Sequence, residues 1–362
     1  MHQPWMRSTK WKINLFKMKL FLALIHLDTH VAAVISHTGQ LLGTLAMPTR
    51  AAGYLKLLKW ARSWGCVRRA GLEGTGTYGA GLALMLREHG IEVLEVNRPD
   101  RAKRRLQGKS DPTDAENAAR SVLSGETTSV PKTHSGAAEA TRVISVARRS
   151  AVKAKTQAIN QLRAMLVSAP QDIREWLWKA NPEQCIAGCA HLRTLGTSVL
   201  LQTLATTLRL LAKRWLMLAA ELKKLDAALD QLTSQHAPRL REQFGVGPQT
   251  AAILLAVAGD NPERLHSEAA LAALCGVSPL QASSGKTIRH RLKRGGDRSA
   301  NNALWTIAMV RMRNDPRTRA YVQRRSADGM SNKEIRRCLK RYIVRELYPF
   351  IIAGLGAKIS IS

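Results

Sequence analysis

The chain has 362 residues, 45% of them hydrophobic, enough for two or three domains with packed cores. It carries 56 Lys and Arg against 26 Asp and Glu, a formal net charge of +30, and that surplus points to a polyanionic partner. Aromatic residues make up only 5%, which argues against a single-strand binder built on stacked rings and favours contact with backbone phosphates.

The five cysteines (Cys66, Cys185, Cys189, Cys275, Cys338) are scattered and odd in number. They form no disulfide framework, which implies a reducing, cytoplasmic setting. Cys185, Cys189 and His191 have metal-like spacing but lack a fourth ligand, so helix packing is the expected role of the two thiols. The N-terminus mimics a signal peptide, with basic residues before LFLALI, but lacks a small-residue cleavage site. No apolar run approaches the roughly 20 residues of a membrane span.

In chain order, LFLALIH (20–26) and HVAAVIS (30–36) read as paired strands around a turn at Leu27 to Thr29, and GQLLGTLAMP (39–48) as a third strand. RAAGYLKLLKWARSWG (50–65) has helical spacing and stops at Gly. VRRAGLE (67–73) is a short strand running into Gly74 and Gly76, YGAGLALMLREHG (78–90) a helix, and IEVLEVN (91–97) another strand. DPTDAENAARSVLSG (111–125) is a helix with Asp at the cap and Pro in the first turn. This order predicts a mixed sheet with helices on both faces.

Residues 126–240 read as helical. Leu211, Trp215, Leu218, Leu222, Leu225, Leu229 and Leu232 recur at steps of four and three, a heptad seam. It serves either an intramolecular hairpin or dimerisation. GVGP (245–248) followed by the apolar QTAAILLAVAG is helix-hairpin-helix-like, a shape that offers backbone N–H groups to a phosphate. Further helices follow at SEAALAALCG, SANNALWTIAMVRM and NKEIRRCLKRYIVREL, the last with a Ser331–Glu334 capping box. The expected domains are 1–125, an α/β sheet domain; 126–240, helical and coiled-coil; 241–345, mainly helical; and 346–362, a tail.

Two constellations can carry chemistry. Glu73 stands where a strand runs out into glycines. Asp111 and Asp114 lie three apart on one helix face, where they serve either capping or a shared site. The basic run Arg98, Arg101, Lys103, Arg104, Arg105 and Lys109 would bring a phosphate backbone to them. Paired Mg²⁺ ions held about 3.5–4 Å apart by such acids stabilise the attacking and leaving oxygens of a phosphodiester. The second constellation is PLQASSGKTIRHRLKRGGDR (279–298): Ser283, Ser284 and Gly285 precede Lys286, Arg289, Arg291, Lys293 and Arg294. A serine there would attack a phosphate while the cations balance the growing charge; an ordinary Ser-Gly turn in a phosphate-binding loop is the alternative.

Together, GLEGTGTYG (71–79), VNRPDRAKRRLQGKSDPTDAENAAR (96–120), GVGPQTAAILLAVAGD (245–260) and LCGVSPLQASSGKTIRHRLKRGGDR (274–298) resemble the insertion-sequence-110 transposases, also described as bridge-RNA-guided recombinases. The resemblance spans roughly residues 30 to 345. It implies a RuvC-like, RNase H-type N-terminal domain with a D-E-D-D set of Mg²⁺-binding acids. Glu73 is its E, and Asp111 and Asp114 are its final pair. It further implies a C-terminal serine domain with Ser284 as nucleophile, and Ser283 as the alternative. DNA is then cut and rejoined through a phosphoserine link, in a site composed from the acids of one protomer and the serine of another. The implied partners are element and target DNA, a guide RNA and a second copy of the chain in a dimer or tetramer, in the nucleoid-associated cytoplasm.

The sequence departs from this pattern at the first acid. Aligned on DTHVAAV, Asp28 takes the place of a second, later acid, and Leu24 stands at the catalytic position. Asp28 is a weak substitute: a slip of four keeps side-chain parity but moves the acid by roughly 13 Å. An upstream frameshift or altered start is the expected origin, and a catalytically inactive nucleic-acid-binding remnant is the rival reading.

Overall fold

The computed structural model describes residues 17–24, 28–96, 110–285, 290–293 and 295–355. It is mixed α/β with mostly helical content and falls into two compact units, Met1–Thr133 and His134–Ser362.

The first unit has a four-stranded and a two-stranded sheet, with helices on both faces. β1 (Lys17–Leu24) pairs antiparallel with β2 (Thr29–Ile35), and β2 with β3 (Leu41–Pro48). After α1 (Ala51–Ser63), one extended stretch is broken at Arg68 into β4 (Cys66–Val67), parallel to β1, and β5 (Arg69–Leu72). Helix α2 (Ala80–Glu88) leads into β6 (Glu92–Glu95), parallel to β5, and α3 (Asp111–Leu123) follows. The period of two along β2 feeds two cores. Ala32 and Val34 join Leu57, Leu72, Leu82 and Leu86 on one face; Ala33 and Ile35 join Val96, Ala115, Ala119 and Val122 on the other. The sequence reading has these strands and helices in the observed order, apart from the break at Arg68.

The second unit is helical: α4 (Ala137–Val167), α5 (Gln171–Leu177), α6 (Pro182–Ala190), α7 (Val199–His236) and α8 (Pro238–Arg241), then α9 (Pro248–Ala258) and α10 (Glu268–Leu274). A small hairpin of β7 (Pro279–Gln281) and β8 (His290–Leu292) precedes α11 (Arg298–Asn314), α12 (Pro316–Ala327) and α13 (Asn332–Leu355). Helices α4 and α7 form an antiparallel hairpin: Ala151 packs with Leu218 and Leu222, whereas Leu162 packs with Leu208 and Ala212. Arg148 bonds Asp226 at 2.5 Å, and the Lys155 ammonium lies 4.1 Å over the Trp215 ring. The heptad seam thus closes within the chain, with Trp215, Leu218, Leu222 and Leu229 buried and Leu211, Leu225 and Leu232 half-buried. Cys185 and Cys189 are packed in the same core, and burial, then Cys185 beside it, pushes the Cys189 thiol up to about 12.

Helix α9 is the centre of the C-terminal core. Its residues Ala251, Leu254, Leu255 and Ala258 are buried among Leu271, Leu304, Ile307, Ile343 and Leu347. Helix α13 continues through Pro349 to Leu355 and buries Ile351, into the stretch read as a tail.

The N-terminus of α4 is held from far along the chain. The Asp260 carboxylate accepts from the backbone N–H groups of Ala138 (2.7 Å) and Glu139 (3.2 Å), and a side chain at Gly136 would strike it. A carboxylate there satisfies orphan donors and faces the positive end of the helix dipole. Glu139 itself accepts from Arg142 and is 2.7 Å from His134 Nδ1. The Arg142 hydrogen bonds lead, with His134 adding, and they outweigh burial to hold the Glu139 carboxyl at about 2, against an ordinary 4.5. A depressed carboxyl contributes stability that is full above its unfolded value and lost as pH falls through the folded one. Urea unfolding should therefore find wild type more stable than Glu139→Gln at pH 7, with the gap closing between about pH 4.5 and 2. A gap that persists at pH 2 would show that charge is not its source.

Candidate active site

The acids of the first unit are seated by glycines. Strand β5 ends at Leu72, and Gly74 turns the chain at φ +64°, so Glu73 sits on the lip between strand and turn. Two backbone bonds to the Gly74 carbonyl, from Thr77 (2.9 Å) and Gly79 (3.1 Å), tighten that turn, and buried Thr75 donates to Glu95 at 2.8 Å. Helix α3 lies close on β5 because Gly71 has no side chain: a Cβ there would stand 2.7 Å from Val122 Cγ2 and 2.9 Å from Val96 Cγ2.

Ser110, not Asp111, caps α3; its hydroxyl accepts from the Thr113 N–H, and Pro112 fills the first turn. The expectation of an Asp cap is corrected here: a Ser one residue earlier takes the capping geometry and frees Asp111. Asp111 is half-buried and Asp114 buried at 2% exposure, both in the first turn, while Glu73 is half-buried with Oε1 shielded from solvent. Carboxylate oxygens suit a hard divalent cation in kind. Among the described residues, however, no group of three His, Cys, Asp or Glu stands close enough to hold one ready-made.

Asp28 is exposed, in the bend before β2, where its backbone carbonyl accepts from the Thr49 N–H. It lies outside the strand pairing, whose last pair is Leu24 with His30. His30 is fully buried and stacks on Tyr54, ring centroids 5.9 Å apart at 6°; burial pulls its imidazole below the usual 6.5. Arg98, Arg101, Lys103, Arg104, Arg105 and Lys109 lie outside the described residues, as do Lys286, Arg289 and Arg294.

In the second unit the serine stretch is a hairpin, where the sequence reading has only a polar loop. Gln281 pairs with His290, Leu280 with Arg291 and Pro279 with Leu292. Ser283 and Ser284 are exposed, Ser284 in an isolated bridge past the Gln281–His290 pair, with Gly285 at φ +57°. Arg291 is exposed and Lys293 half-buried. The hairpin base is locked by backbone contact: a Cβ on Gly296 would meet Gly276 Cα and N at 2.2 Å. Asp297 donates its N–H to the Leu274 carbonyl (2.8 Å), its side chain caps α11 through Ala300, and Asn301 donates to the carbonyls of Cys275 and Gly276. The paired glycines of RGGDR are the sequence signal for this close approach. Since both neighbours are backbone, Gly296→Ala should cost about 3 kcal/mol of second-unit stability, the upper end of the overpacking range. Gly295→Ala, with nothing within 4 Å, should stay near neutral by the same denaturant melt. Equal melting of the two variants would refute the lock.

Residues 25–169 match the DEDD-type transposase family of IS110, and residues 237–323 match the family described as Transposase IS116/IS110/IS902. An uncharacterized 43.6 kDa protein of insertion element IS110 from Streptomyces coelicolor is 32% identical over 135 residues, 36% of this chain and 33% of that protein. An uncharacterized 42 kDa protein of insertion element IS900 from Mycobacterium paratuberculosis is 29% identical over 154 residues, 41% of this chain and 38% of that protein. Each match spans less than half of the relative's length. The first matched segment holds Glu73, Asp111 and Asp114, and the second holds Ser284; two segments of the chain are thus similar to transposase domains of the IS110/IS116/IS902 insertion elements.

Proposed function

We propose that this chain cuts and rejoins DNA as the transposase of an insertion element, with Ser284 as nucleophile and Glu73, Asp111 and Asp114 as the acids that hold Mg²⁺. The observation that carries this reading is the distribution of the two matched segments: each contains one half of the proposed chemistry. An exposed Ser284 toward the tip of a hairpin that also carries Arg291 suits attack on a backbone phosphate. The Ser284 Oγ–P bond forms as a P–O bond of the strand breaks; the hydroxyl proton leaves to a base, and the departing sugar oxygen takes up a proton. Bound at the acids, Mg²⁺ would supply Lewis-acid stabilisation of the attacking and leaving oxygens. An RNase H-type sheet for the first unit, a guide RNA and a dimer or tetramer belong to the same proposal; the strand order and the +30 charge support the first two. Among the described residues no helix is long and apolar enough to cross a membrane.

A second reading has its own observation. Leu24 ends β1, and Asp28 lies past the pairing, so the sheet carries no acid at the first D of the D-E-D-D pattern. A chain without that ligand would bind nucleic acid and leave it intact. Incubation with plasmid carrying the element's ends separates the two. The active reading expects a Mg²⁺-dependent, detergent-resistant protein–DNA adduct that disappears in Ser284→Ala and falls at least about 100-fold in Asp114→Asn, but survives Ser283→Ala. Binding without any adduct supports the remnant, and cleavage that survives Ser284→Ala excludes serine chemistry.

A further inference from the structure

A cavity of about 720 Å³ lies at the base of the serine hairpin, lined by Pro279, His290 and Arg291 on the hairpin side and by Arg337, Lys340 and Arg341 of α13. Its charges are unequal. Arg341 is committed to Glu268, whose two oxygens it engages, and Glu334 is committed to the Ser331 cap. Arg291, Arg337 and Lys340 form no ion pair among the described residues.

Lys340 is the unusual member. It is only 8% exposed, and its Nζ donates to Asn301 Oδ1 at 2.8 Å, a neutral partner. Asn301 is itself fixed by the Cys275 and Gly276 carbonyls, so the ammonium is held in place. Burial, with Arg337 and Arg336 adding to it, lowers the Lys340 pKa, the mark of a cation whose surroundings lack a counter-charge. Burying an ammonium costs several kcal/mol unless an anion offsets it. Two further cations beside it argue that the anion comes from outside.

We propose that this cavity docks one backbone phosphodiester of the bound nucleic-acid strand, with Lys340 as the fixed charge and Arg337 and Arg291 closing on the phosphate oxygens. The proposal rests on the DNA-cutting function above and adds where the strand is gripped. Gln281 and His290 close the hairpin above the cavity, and Ser284 is three residues beyond Gln281. Pro279, which lines the cavity, is five residues before Ser284; an extended chain spans at most about 3.3–3.6 Å per residue, so this wall of the cavity lies within roughly 18 Å of the serine. Planar guanidinium groups suit paired hydrogen bonds to a phosphate, and the buried ammonium supplies a point charge.

The test is a salt titration of binding by the full chain, read by fluorescence anisotropy on a DNA duplex and, separately, an RNA duplex. Arg337→Gln, at an exposed position, keeps the fold; Lys340→Met keeps the length of a buried side chain. Each should weaken binding about tenfold at low salt and reduce the slope of log K against log salt by about one. The same loss on DNA alone assigns the gripped strand to DNA; the same loss on RNA alone assigns it to the guide. Should Lys340→Met fail to fold, Arg337→Gln decides. If wild type binds both duplexes and Arg337→Gln keeps affinity and slope, the docking site is wrong while the function stands. If wild type binds neither, the function itself falls, and this proposal with it.

Discussion

Close backbone approach at glycine is the constraint on which both halves of this chain depend. At Gly71 it lets the helix that begins with Asp111 and Asp114 lie directly on the strand that precedes Glu73. At Gly276 and Gly296 it presses the base of the serine hairpin onto the end of a helix. A methyl group at Gly71 or Gly296 would fall under 3.0 Å from its neighbours. Interiors packed at near-crystalline density pass such a displacement on to the groups nearby. Those groups are the ones proposed to touch metal and phosphate.

Polar contacts then fix orientation within each unit. Asp260 reaches back to start the long helix Ala137–Val167, and the buried Arg311 binds Glu346 through two 2.8 Å bonds while donating to the Phe244 carbonyl. That last bond ties the GVGP turn to the helices behind it. Since both partners of each pair are satisfied, the network specifies one arrangement of the helices.

Much of this was legible in the sequence. The two-residue alternation of HVAAVIS, the four-and-three spacing of the leucines, and the Gly stops gave strands and helices in their observed order. The seam showed which helix face is apolar but left open what covers it, because period carries no information about the partner. The helix Pro316–Ala327 was missed, since PRTRAYVQRRSA has too few apolar residues to show a face. The hairpin Pro279–Leu292 was missed because its strands have three residues each and carry charges rather than alternation. Lys340 was invisible for the opposite reason. In KEIRRCLKRYI it reads as one more solvated cation, and only the packing around Asn301 makes it buried. At the acid site, the motif places Asp111 and Asp114 on one turn, but that Ser110 takes the cap is visible only in the geometry.

The central claim is that three carboxylates form a transposase metal site that lacks its first Asp, with Leu24 in that place. Calorimetric titration of Mn²⁺ into wild type and Leu24→Asp tests it without needing the DNA target. A restored fourth oxygen ligand should tighten binding at least about tenfold, roughly 1.4 kcal/mol, and adding Asp114→Asn should remove the gain. Equal affinity in wild type and Leu24→Asp, or a gain that survives Asp114→Asn, would contradict it.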